Sequence, residues 1–135
     1  MMNERKASVI VCDEFTWSLT GKANFFGVYV QDIVIPIPEV TINQMVFFFS
    51  VETDANDPFK QVELKVEFPG SPPFTQPIAM DALPMPPPAG RTKITYRFPI
   101  MLQQRVLRPG RIATSVIHER GELSAGGVWI VQQPT

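Results

Sequence analysis

The sequence predicts an all-β protein: a single antiparallel β-sandwich of about eight strands, immunoglobulin-like or C2-like in general shape. A small closed β-barrel is the alternative. Three observations carry the prediction. Two apolar runs, residues 111–119 and 122–132, flank the tight turn Arg120-Gly121, and glycine supplies the positive φ that a short hairpin needs. Two other segments alternate apolar and polar residues with a period of two. Finally, fourteen Pro and ten Phe leave few windows where an ordinary helix survives, while aromatic residues favour pleated surfaces.

The elements follow in order. Residues 7–16 read as a first strand. Gly21-Lys22 marks a turn, and Ala23 to Val30 reads as a second strand. Ile33 to Pro38 is extended but punctuated by prolines, which places it at an edge or in a connection. Thr41 to Thr53 is the strongest strand. Met45, Phe47, Phe49 and Val51 share one face, and Ile42, Val46 and Phe48 the other, so it reads as central and buried on both sides. Residues 54–59 form a turn. Val62, Leu64, Val66 and Phe68 then alternate with Gln61, Glu63, Lys65 and Glu67, as in a sheet with one solvated face. Pro69 to Gly90 holds a short strand near 74–80 and a loop of polyproline character. Thr92 to Ile100 alternates again. Residues 101–108 fit either one or two helical turns or an extended run to Pro109-Gly110. Gly126-Gly127, inside the last strand, points to a bulge or a close backbone approach.

The 135 residues fit one domain, residues 1–135. The apolar run after the charged start is too short for a signal sequence, and no stretch approaches the length of a membrane span; the expected location is cytoplasmic. Cys12 is the only cysteine, which excludes an intrachain disulfide, the Cys–Trp–Cys hallmark of true immunoglobulin domains and a cysteine zinc cluster. It reads as a small buried residue.

Net charge is −1, but the charge is unevenly placed. Six basic residues and no acidic one lie between Arg91 and Arg111. A fold that mixes early and late strands cancels this asymmetry, and one that segregates them makes an acidic and a basic face. Arg97, Arg105, Arg108 and Arg111 are the candidate ligand- or partner-binding residues. Beside Tyr96 and Phe98 they suggest a platform for single-stranded nucleic acid. The overall acidity and the inward register of both rings speak against nucleic acid. Glu52, Asp54, Asn56 and Asp57 cluster at one strand end and are weak candidates for a calcium site, since a hard cation takes oxygen ligands. Asp and Asn also favour turns for their own backbone hydrogen bonds, which is the simpler reading. Pro84 to Pro88 contains a Pro-x-x-Pro spacing able to dock in an aromatic groove, or simply a rigid loop. The single His118 excludes multi-histidine metal sites and leaves one candidate general base. No Gly-x-Ser-x-Gly, phosphate-cradling loop or dinucleotide fingerprint is present, so neither enzyme nor cofactor is expected.

Cys12-Asp13, then Gly21-Lys22-Ala23-Asn24-Phe25-Phe26-Gly27-Val28-Tyr29, then Ile33-Val34-Ile35-Pro36, resembles the opening of an uncharacterised bacterial family of small β-sandwich proteins. The likeness covers mainly residues 12–38. It implies a fold and no activity.

The functional expectation is a non-catalytic binding or assembly module, acting through a protein partner or self-association. The alternatives are a binder of small apolar ligands with an interior cavity and, remotely, an enzyme using His118. No membrane contact is expected.

Overall fold

The computed structural model of the protein describes residues 4–80 and 90–134. The run Pro84 to Pro88 lies outside them. The strands are β1 (Lys6–Cys12), β2 (Glu14–Trp17), β3 (Ala23–Phe26), β4 (Ile33–Ile35), β5 (Val40–Asp54), β6 (Val62–Glu67), β7 (Phe74–Ile78), β8 (Lys93–Leu107), β9 (Gly110–His118) and β10 (Gly121–Gln132). Three strands form one sheet in the order β1-β5-β8. Five form the second, β4-β10-β9-β6-β7, and β2-β3 is a separate hairpin. β1, β8, β4 and β7 end their sheets, so neither sheet closes into a barrel. The eight strands of the two packed sheets follow an immunoglobulin-like order, with β4 lying parallel to β10 and every other ladder antiparallel.

The core lies between the sheets. β5 supplies Met45, Phe47, Phe49 and Val51; β8 answers with Ile94, Tyr96, Phe98, Ile100 and Leu102. Val62, Leu64 and Val66 of β6, Ile112 and Val116 of β9 and Ile130 of β10 fill the opposite side. β5 is central, as its two-sided apolar pattern predicts. Its outer-face residues Val46 and Phe48 are also buried, and Phe15 and Phe25 of the β2-β3 hairpin fold over Phe48.

Three sequence expectations are refined. Residues 7–16 are two strands, broken at Asp13. The Asp13 amide donates to the carbonyls of Phe26 and Gly27 (3.0 and 3.2 Å), which turns the chain out of the sheet and into the hairpin. β3 stops at Phe26 rather than Val30 because Gly27 takes a φ of +67°. Residues 101–107 continue β8 and pair with the start of β5. Their ambiguity in sequence comes from Gln104, whose φ of +53° interrupts the alternation in mid-strand. The expected bulge is present between Ser124 and Gly126, where the Thr114 hydroxyl donates to the Gly126 carbonyl (2.9 Å).

Candidate functional site

The densest polar cluster of the described residues surrounds Arg5, which the sequence reading did not single out. Arg5 precedes β1 and reaches the opposite sheet, where the 54–59 turn meets the β9-β10 hairpin. Its Nη2 lies 2.8 Å from Glu119 Oε2 and 3.3 Å from Asp57 Oδ1. Its Nε donates to the Thr53 hydroxyl (3.2 Å), and Nη2 also donates to the Asp57 and Pro58 carbonyls (3.3 and 3.4 Å). The guanidinium lies 4.3 Å from the centre of the Phe59 ring. With only 4% of the side chain exposed, the cation is desolvated and nearly every donor is matched, which a buried charge requires. Glu119 also accepts from the amides of Lys60 and Gln61 (3.1 and 3.2 Å). Burial alone raises the Glu119 pKa, but the hydrogen bonds from Arg5 and these amides prevail and hold it at about 2.

His118 belongs to this cluster. Its Nδ1 accepts from Arg5 Nη1 (2.9 Å) and from the Arg120 amide (3.2 Å). Both neighbours are donors, so Nδ1 holds the lone pair and Nε2 the proton. Burial, then the charge of Arg5, push the imidazole pKa down. The ring is therefore a neutral donor whose lone pair is occupied.

The predicted arginine group is not one site. The structure disperses it, because neighbours in a strand alternate faces and Pro109-Gly110 turns the chain into the other sheet. Arg97 lies on the outer face of the three-stranded sheet, on the side opposite Tyr96 and Phe98. Arg105 and Arg108 lie at the rim: Arg105 sits 5.9 and 5.7 Å from the Phe68 and Phe74 rings, and Arg108 pairs with Glu39 (3.1 Å). Arg111 lies on the outer face of the five-stranded sheet, over the bare backbone of Gly127. Mixing early and late strands cancels part of the charge asymmetry through Lys93–Asp54, Arg108–Glu39 and Arg120–Asp57.

The candidate calcium ligands also diverge. Glu52 faces the outer surface of the three-stranded sheet, Asp54 pairs with Lys93, Asn56 is exposed, and Asp57 turns to Arg5 and Arg120. Asp57 N donates to Asp54 O (2.9 Å), the turn that these residue types favour. Among the described residues no three His, Cys, Asp or Glu side chains gather as a metal would need.

Cys12 and Asp13 form a structural joint. Tyr29 Oη donates to Asp13 Oδ1 (2.7 Å), and Gln44 Nε2 to Asp13 O (3.1 Å). A Cβ at Gly27 would collide with the Asp13 carboxylate. Burial pushes the Cys12 thiol up, which suits a packing residue rather than a nucleophile.

Two surface features remain. The hairpin and the outer face of the three-stranded sheet frame a groove of about 560 Å³, lined by Ile10, Trp17, Phe25, Phe48, Ser50 and Arg97 among others. It adjoins a second groove through Ser50 and Arg97, lined further by Lys6, Ser8, Glu52 and Thr95. On the other sheet, Trp129 stands directly opposite Arg111, and Val131 opposite Val34. Both tryptophans of the chain are more than half exposed, Trp17 at 52% and Trp129 at 55%. Among the described residues no helix is long and apolar enough to cross a membrane. Comparison with protein-family models, curated proteins and solved structures returns no match to this chain.

Proposed function

We propose that the chain is a non-catalytic binding or assembly module that works through protein–protein contacts on the outer faces of its sheets. One observation carries this reading: each exposed tryptophan shares its surface with an arginine that has no carboxylate partner among the described residues, Trp17 with Arg97 and Trp129 with Arg111. Tryptophan and arginine are the side chains that most often dominate interface energy, and a solitary domain gains nothing from leaving both in water. Val34 and Val131 widen the second patch with apolar surface.

His118 supports the non-catalytic part. A general base needs a free lone pair, and Arg5 and the Arg120 amide occupy the one on Nδ1. The alternative of an apolar ligand inside the sandwich has less support. The inner faces interlock ring on ring, with Phe47 against Phe68 and Phe59 against Tyr96, both at 5.9 Å between centres. The bacterial-family resemblance fits the same reading, since its residues build the joint at Asp13 rather than a reactive centre.

The test is a photo-crosslinking amino acid placed at Val131 in producing cells, with Gln76 on β7 as the control position. The expected result is a discrete adduct from Val131, of this chain with itself or with one partner, that Arg111→Glu abolishes. Equal labelling at both positions, unaffected by Arg111→Glu, refutes the reading.

A further inference from the structure

We infer that the groove between the β2-β3 hairpin and the outer face of β1-β5-β8 takes an extended acidic peptide, its apolar side chain against Trp17 and Ile10 at the edge of the covered Phe48 and its carboxylate on Arg97. The inference rests on the protein-binding reading above and deepens it with a ligand class and a spacing. The floor is ruled by strand register. Ile10, Phe48 and Pro99 form one row across the three strands; Ser8, Ser50 and Arg97 form the next; Lys6, Glu52 and Thr95 form a third. The hairpin covers the first row from above, with Phe25 4.9 Å and Trp17 5.9 Å from the Phe48 ring. Its cover ends at Ser50, where the groove turns polar.

Rows two residues apart along β5 are separated by about 6.6–6.8 Å, the same repeat as side chains i and i+2 of an extended peptide. A peptide lying along β5 therefore presents residue i to the Trp17–Phe25–Phe48–Ile10 end and residue i+2 to Arg97. Arg97 makes no hydrogen bond or ion pair with any described residue, and among the described residues that line the first groove its guanidinium is the only cation. A carboxylate at i+2 supplies the missing partner, in the forked geometry that guanidinium favours. Residue i+4 meets Lys6 and Glu52, which accommodate a polar side chain of either sign. The groove is open along its length and polar over its second half, which suits a peptide better than a fatty acid.

The test uses a randomised linear twelve-residue peptide library displayed on phage. It is selected on the whole protein and counter-selected on Arg97→Glu. Enrichment of sequences with an aromatic or aliphatic residue two positions from Asp or Glu is expected. The best synthetic peptide is then titrated against Trp17 fluorescence in a Trp129→Phe background. The expected result is a saturable emission change, weakened at least tenfold by Arg97→Glu and partly restored by Arg97→Lys. Failure to enrich a sequence, enriched peptides without an acidic residue, or equal binding to Arg97→Glu overturns the inference. So does a saturable change with dodecanoate and none with peptide. Each of these leaves the Val131 crosslinking result standing, so failure here is distinct from failure of the protein-binding reading.

Discussion

Arg5, just before β1, and Arg97, on β8, turn to opposite faces of the three-stranded sheet and show what an arginine does in two settings. Arg5 is buried at 4% exposure, held by two carboxylates, a hydroxyl, an imidazole nitrogen and an aromatic face. Arg97 is exposed in a groove with aromatic walls and has no acidic partner among the described residues. The first has spent its donors inside the fold, so it fastens the start of β1 to the far sheet. The second has kept its donors, so it is available to something outside. Density of polar contacts therefore marks structure in this molecule, and their absence beside a tryptophan marks the surface to test.

The largest expected effect breaks the first arginine. Arg5→Ala leaves Asp57 and Glu119 with a lost partner in a half-buried site and should cost about 3 kcal/mol or more, read from urea unfolding. A loss under about 1 kcal/mol would mean that the cluster is solvated and the comparison with Arg97 is wrong. Next comes the joint that launches the hairpin wall of the groove. Gly27→Ala combines a φ of +67° with a collision against Asp13 and should cost about 2 kcal/mol. Unchanged stability would show that the hairpin sits loosely on Phe48.

A smaller effect separates His118 from its neighbours. Its folded pKa lies below the ordinary value near 6.5, so the unfolded state binds the proton first. The stability it contributes is present above about pH 6.5 and falls as pH drops toward the folded pKa. Wild type should lose stability between pH 7 and pH 5 more steeply than His118→Asn; parallel curves would assign the proton to another group. Glu119 acts lower down: held at about 2, it loses its contribution as pH falls from the ordinary carboxylate range toward that value. The smallest effect on stability belongs to the surface arginines. Arg97→Glu and Arg111→Glu should each stay within about 0.5 kcal/mol of wild type in thermal unfolding, while the first weakens peptide binding at least tenfold and the second abolishes crosslinking. Destabilisation of 2 kcal/mol by either would make that arginine another Arg5.

Much of the fold was legible because period-two patterning is a local property. The alternations at Val62–Phe68 and Thr92–Ile100 and the two-sided Met45–Phe49 run report their burial directly. The bulge was legible from Gly126-Gly127 for the same reason. Local pattern fails where two distant segments decide the conformation. The break at Asp13 depends on Phe26, Gly27 and Tyr29, and the extended course of residues 101–107 depends on pairing with Val40–Val46. The Arg5 cluster was invisible because its members are separated by up to 114 positions, from residue 5 to residue 119, and each alone looks like a solvated charge. A lone arginine just before a first strand, with a His-Glu pair in a late hairpin turn, is the faint signal that was there.

By itself, the sequence determined the all-β class, the inward residues of most strands and the turn at Arg120-Gly121. Each follows from side-chain chemistry and backbone freedom within a few residues. Only the tertiary structure decided that four neighbouring arginines occupy three separate surfaces, that the carboxylates of the 54–57 turn answer cations rather than a metal, and that each tryptophan stands exposed beside an arginine. Those outcomes depend on which strands lie side by side. Strand order is set by the free energy of the whole core, to which no single segment holds the key.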